Sequence, residues 1–528
     1  MNRLNLMLAS AVMSFSACSA NQDSNLSSDG SVVVRVDDEV AGANCENGGT
    51  AIHTGTDIDG DATLSDSEIT GTSYVCAGSD GSSVLVRVDD EAPGQNCSEG
   101  GSAVHAGVDS NDNGVLDDTE VTSTSYVCDG VGETTAEATV LEGSFTINNS
   151  LDVAFLSGYT EITGQLTVSA PGLTTLTLPD LVRVGGDVVI DNNPDLASID
   201  VSSLTTITGN LSLVDNDSLA NLDGFSALTS VGQLVVASNT VMTDISGLGS
   251  LTTAGPTVNI LRNPLVTSLA GLQSLTPGDV NLRVTDTPLL SDISAIASFT
   301  SLGSLTLSSN DALTSIDLSS LATISGSLVM NSNDALLSID LSGLTTTASA
   351  RIQENSQLAT IALGALTSAA SNLEVVENSV LSALDTGNLV TVGSSFRFED
   401  NNATTSLDVG TLETVGGDFS VRRNAVLSTV TYDALTTIGD DFELSENPSL
   451  TTADLGALET VGEFNLVENI VLTSVDLSSF ADAGSRYRVR DNASFPSCEV
   501  TAIEDQLILA GWPQSSSIDG NDDAAVCP

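Results

Sequence analysis

The sequence predicts a mainly β protein dominated by a parallel β-solenoid of about 14 coils. Three observations predict it: a period of 22 to 24 residues from about residue 145 to residue 495, one asparagine per period, and apolar columns at fixed offsets from it. The asparagine stands at 193, 216, 239, 263, 310, 333, 355, 378, 401, 424, 447, 469 and 492, with Thr287 in the one exceptional place. A constant period with one-residue insertions marks a stack of coils that share one interior, not a string of independent domains.

The chain opens with MNRLNLMLASAVMSFSAC, residues 1–18, which holds one arginine and an apolar run too short to span a bilayer, and ends in small residues at Cys18. This stretch resembles a bacterial lipoprotein signal, with Phe15 where leucine is usual. The resemblance implies cleavage before Cys18, acylation of its sulfur and new amino terminus, and a lipid-anchored place in the cell envelope, surface-exposed at the outer membrane. Ordinary signal cleavage near Ala20 is the alternative. Residues 19–30 read as a disordered spacer, and no later segment reaches about 18 consecutive apolar residues.

Two Cys-bracketed modules follow, at 31–80 and 81–130. VVVRVDDEVAGANCENGG recurs as VLVRVDDEAPGQNCSEGG, and every landmark repeats 52 residues on: Cys45 and Cys97, His53 and His105, Tyr74 and Tyr126, Cys76 and Cys128. The second copy holds DSNDNGVLDDTE, the alternation of oxygen donors that a hard cation such as Ca2+ requires. Its donors are Asp109, Asn111, Asn113, the Val115 carbonyl, Asp117 and Glu120, and Gly114 makes the sharp turn. The first copy offers Asp57, Asp59, Asp61 and Glu68 but has Ala62 at the glycine position. A stabilising ion is expected instead of a conformational switch, because no long helices flank either loop; an acidic, solvated hairpin is the other reading. His53 and His105 read as packed or hydrogen-bonded side chains, since a zinc site would want more His or Cys ligands. The modules are similar to small Cys-bracketed repeats of bacterial surface lipoproteins, a resemblance that brings no activity with it.

Residues 131–144 are a polar linker, and the solenoid occupies 145–495. Three and five residues before each marker stand apolar residues, such as Leu307 and Leu305 or Val421 and Phe419, which a strand would turn to one side. Further apolar columns at plus three and plus six line the interior from other sides. The run from Phe396 to Phe464 predicts a stack of aromatic rings used for packing. The marker amide, with donors and an acceptor, suits a ladder along the coils. The pattern LxxLxLxxNxxLxxIxLxxLxxI, with openings such as GDVVIDNNPDL and GDFELSENPSL, resembles leucine-rich repeats and, more closely, receptor L domains. That resemblance implies a right-handed solenoid and extracellular recognition. Residues 496–528 read as a cap, a short helix ending near Gly511, tied by Cys498 and Cys527 and plugged by Trp512. Six cysteines beyond Cys18 in an exported chain favour disulfides, with sequence-local pairing the simplest of fifteen connectivities.

The basic side chains are thirteen arginines against seventy carboxylates, a net charge of −57. That balance repels nucleic acid and favours cations. A candidate binding face for extracellular glycan or protein follows the column four residues before the marker: Arg351, Glu374, Arg397, Glu443 and Arg488, with Arg422 and Arg423 beside it. The plainer reading of those charges is a solvated, self-neutralising surface. An enzyme is not expected, since the solenoid lacks histidine and lysine and no coil carries a distinctive acid and base pair. A purely structural envelope stalk and, behind it, a polysaccharide-degrading β-helix are the alternatives.

Overall fold

The computed structural model describes residues 32–43, 45, 48–56, 63–67, 69–76, 84–92, 94, 101–111, 113–128, 139–512 and 516–524. The chain forms two compact units, Met1–Glu137 and Ala138–Pro528. The first holds two three-stranded antiparallel sheets of one design. Strands β1 (Val32–Glu39), β2 (Gly49–Thr56) and β3 (Ile69–Cys76) pair in sequence order, and β4 (Val84–Glu91), β5 (Gly101–Val108) and β6 (Val121–Cys128) repeat the arrangement. Strand alternation in VRVDD puts Arg35 and Asp37 on the face that carries His53 and Thr72, and Arg87 and Asp89 on the face of His105 and Thr124.

The second unit is a parallel β-solenoid. Each coil contributes one strand to a long sheet that runs from Phe145–Ile147 to Arg486–Arg490, every neighbour parallel and in register, as in Phe396↔Phe419↔Phe442↔Phe464↔Tyr487. Short strands such as Thr414–Val415 form a second side. Three-residue strands such as Ser315–Asp317 form a third, where Asp223–Phe225, Ser246–Leu248 and Ser294–Ile296 turn as 3-10 helices. A single apolar cluster fills the interior from Ile147 to Trp512, which is why no coil needs a core of its own. The predicted aromatic stack is present: Phe396–Phe419 and Phe442–Phe464 centroids lie 4.9 Å apart with near-parallel rings.

The marker asparagines are fully buried and form the ladder the amide chemistry calls for. Asn401 is a representative rung. Its Oδ1 accepts from the Asn378 backbone N–H at 3.1 Å, its Nδ2 donates to the Val375 carbonyl at 2.8 Å, and its own N–H donates to Asn424 Oδ1 at 3.0 Å. The residue before each marker, from Asn192 to Asp491, holds the left-handed conformation with φ between 51 and 59° although none is glycine. That turn sends the amide inward at a cost of about 1 to 2 kcal/mol per residue, which the ladder offsets. At Gly416, a Cβ would stand 2.2 Å from the Gly393 carbonyl oxygen one coil below, so a side chain there would force the backbone to shift.

The C-terminal segment caps the stack. A helix spans Ser497–Leu509, and Gly511 beyond it takes a φ of +99°. Trp512 is buried, stacks edge-on against Tyr487 and donates its indole N–H to the Gly484 carbonyl at 2.9 Å. The ladder runs one rung past the repeat: Asn521 Oδ1 accepts from the Asn492 N–H at 3.2 Å. Satisfying that last rung keeps the end of the stack from presenting orphan backbone groups.

Candidate functional site

Inward residues at minus five and minus three leave minus four and minus two on the outer face of the long sheet. The candidate residues at minus four, Arg351, Glu374, Arg397, Glu443 and Arg488, stand there. Sequence reasoning missed the minus-two column, which adds Glu399 and Arg490 and places Arg422 on the same face. Period-two alternation alone was enough to find it.

Glu399 is the centre of this network. Its carboxylate is buried under its neighbours and accepts from Ser420 Oγ at 3.0 Å, Arg422 Nε at 2.8 Å and Arg423 Nη2 at 3.1 Å. Arg423 also forks onto Asp400 at 2.6 Å, and that bond raises the guanidinium's pKa above its ordinary value. Arg351 donates through Nε alone to Glu374 at 2.6 Å. Arg397 reaches Asp418 only at 3.6 Å. Together Arg397, Glu399, Arg422, Asp441 and Glu443 line a shallow depression of about 140 Å³. Burial holds the Asp441 carboxyl above the usual carboxylate range, and Glu463, Asp418, Asp440 and Glu443 add to it by repulsion. The depression has no histidine or lysine, and Phe419 lies at its floor among charged and polar side chains; it offers guanidinium and carboxylate hydrogen bonds to a polar ligand.

In the second loop of the first unit, hydrogen bonds link Asp109, Asn111, Asn113, Asp117 and Glu120 to one another. Asp109 and Glu120 are 4% and 6% exposed, and Gly114 N–H donates to Asp109 Oδ2 at 2.8 Å. Glu120 accepts from the backbone N–H of Asp117, Ser110 and Asn111, with the Asp117 bond the main cause of its lowered pKa. Asn111 and Asn113 both donate their amide nitrogens to Asp117 Oδ2, at 3.0 and 3.1 Å. Among the described residues no group of three or more His, Cys, Asp or Glu side chains is arranged to hold a metal ion. The donor set is wholly oxygen and fits a hard cation once the Asp117 carboxylate and the two amides turn their oxygens inward. Asp57, Asp59, Asp61 and Glu68 of the first loop lie outside the described residues, as does Cys18.

Arg87 braces the second loop from β4, donating to the Leu116 carbonyl and to Asp118, each at 2.7 Å. His105 hydrogen-bonds Thr124 Oγ1 through Nδ1 at 2.8 Å and stands 3.3 Å from Asp89 through Nε2; His53 repeats this with Thr72 and Asp37. Cys45 and Cys498 are disulfide-bonded. The side chains of Cys76, Cys97, Cys128 and Cys527 are outside the described set.

Residues 32–76 and 84–128 each match a family described as Domain of unknown function (DUF7151). No curated protein matches the sequence. Among solved structures, a leucine-rich repeat protein from Bacteroides ovatus ATCC 8483 is similar over 60% of this chain and 84% of its own, at 14% identity and a TM-score of 0.29. A likeness at that score carries no argument about ligand or activity.

Proposed function

We propose that this chain is a lipid-anchored bacterial surface protein whose solenoid binds an extracellular glycan or protein on the outer face of its long sheet. The observation that supports this reading is the network around Glu399. A carboxylate held by two arginines and a serine beside the half-exposed Arg397 is a pre-organised set of polar groups on a rigid wall. The first unit would stand between the acylated Cys18 and the solenoid in sequence, with Ca2+ in the loop of Asp109 and Glu120 as a structural ion. Disulfides Cys45–Cys76, Cys97–Cys128 and Cys498–Cys527 would bracket the two modules and the cap.

The face is tested by incubating the soluble chain with envelope and algal polysaccharides. Retention without new reducing or unsaturated ends supports binding; cleavage replaces this reading with an enzyme, and no retention of any polymer or envelope protein leaves a structural stalk. Calcium titration into the chain should give saturable heat at millimolar metal that Asp109→Ala removes. Labelled palmitate should enter the protein in its host and not the Cys18→Ser variant.

A further inference from the structure

We propose that the last solenoid strand, Arg486–Arg490, is an oxyanion site for a carboxylate-bearing sugar of the uronate class. This deepens the reading of the outer face as a ligand surface. In RYRVR the alternation buries Tyr487 and Val489 and turns Arg486, Arg488 and Arg490 outward. Three of the chain's thirteen arginines therefore share one short strand of a molecule with net charge −57.

The three are not equivalent. Arg486 meets Glu463 at 3.5 Å, and Arg490 meets Asp519. The side chain of Arg488, between them, has no hydrogen bond or ion pair among the described residues. Its register neighbours are Asn465 on one side and Ser517 of the cap on the other, where Arg351 and Arg422 have carboxylates. Arg283 also lacks a carboxylate but stands with no second arginine on its strand.

Alternate strand residues lie about 7 Å apart, so Arg486 and Arg490, each held by its own carboxylate, flank Arg488 without occupying its guanidinium. A planar carboxylate matches the guanidinium fork with two parallel hydrogen bonds. The Asn465 amide and the Ser517 hydroxyl, one coil step to either side, are neutral partners for hydroxyl groups. An acidic, hydroxyl-rich ligand uses all of these groups together.

The test is calorimetric titration of the chain at 0.15 M salt, where a Debye length of about 8 Å limits repulsion from the remaining negative surface. The probes are oligogalacturonate, a neutral cello-oligosaccharide and hexaglutamate. Saturable binding of oligogalacturonate alone, weakened about tenfold or more by Arg488→Gln and unchanged by Arg283→Gln, is the expected result. Arg488→Lys, which keeps the charge and loses the fork, and Ser517→Ala should each weaken it less. Thermal melts of the variants establish that they fold. Equal binding of hexaglutamate, or an Arg488→Gln variant that binds like the parent, overturns the proposal. Binding of the neutral oligosaccharide alone overturns it and leaves the outer face a ligand surface; oligogalacturonate bound elsewhere on the face does the same.

Discussion

Replacing Asn401 with alanine removes one rung from the middle of the amide ladder. Two buried backbone groups lose their partner: the Asn378 N–H, bonded to Asn401 Oδ1 at 3.1 Å, and the Val375 carbonyl, which accepts from Nδ2 at 2.8 Å. Each buried group left unsatisfied costs about 1 to 3 kcal/mol, so the loss is about 2 to 6 kcal/mol. In a stack stabilised by nearest neighbours that loss stays local, and it is read best by hydrogen exchange resolved along the chain. Peptides covering 373–424 should exchange about thirtyfold faster or more, the factor that corresponds to about 2 kcal/mol, while coils near 211–261 should be unchanged. Asn465→Ala on the outer face is the control and should lie within about 0.5 kcal/mol of the parent. If Asn401→Ala protects its flanking coils as well as Asn465→Ala does, the ladder is not what holds neighbouring coils together.

Thr287→Asn should stabilise the protein by about 1 to 2 kcal/mol, seen as a higher melting temperature, because a threonine there leaves the Asn263 N–H without the side-chain acceptor that every other rung supplies. Gly416→Ala should cost about 1 to 3 kcal/mol, since its Cβ would stand 2.2 Å from the Gly393 oxygen; Gly172→Ala, with open space around it, should be silent in the same denaturation assay. Asp441→Asn should melt higher than the parent at pH 7. A carboxyl whose folded pKa is raised costs stability when ionised, so the advantage disappears as pH falls through that folded value, and a melting series against pH that shows no such convergence would remove the reasoning.

The long sheet was legible because residues such as Leu305, Leu307 and Asn310 alternate in a fixed frame, and a parallel stack gives each column one environment along the whole solenoid. The outer face was legible only at minus four, and Glu399 emerged from the register that sets it between Val376 and Arg422. The left-handed residue before each marker is polar in every coil but never glycine, so its backbone conformation was not legible: Arg262, Glu354, Ser309 and Asp491 all adopt it because the ladder imposes it. The aspartates that follow the third side were also unread. Asp317, Asp340, Asp408 and Asp476 each accept from the N–H two residues on, closing the turn that the next serine or glycine makes. In the first unit the Arg87 brace on the second loop emerged only from pairing across strands.

The account depends on coils lying one upon another in a single parallel sheet, and pulsed dipolar spectroscopy between outer-face spin labels measures that spacing directly. Labels on unnatural amino acids at Ser212 and Thr306, four coil steps apart, should lie about 19 Å apart at the backbone. Moving the second label to Asn465, eleven steps from Ser212, should lengthen this to about 50 Å. Distances that rise with each coil bear out the stack; a distance that stops growing, or shortens, as further coils intervene contradicts it.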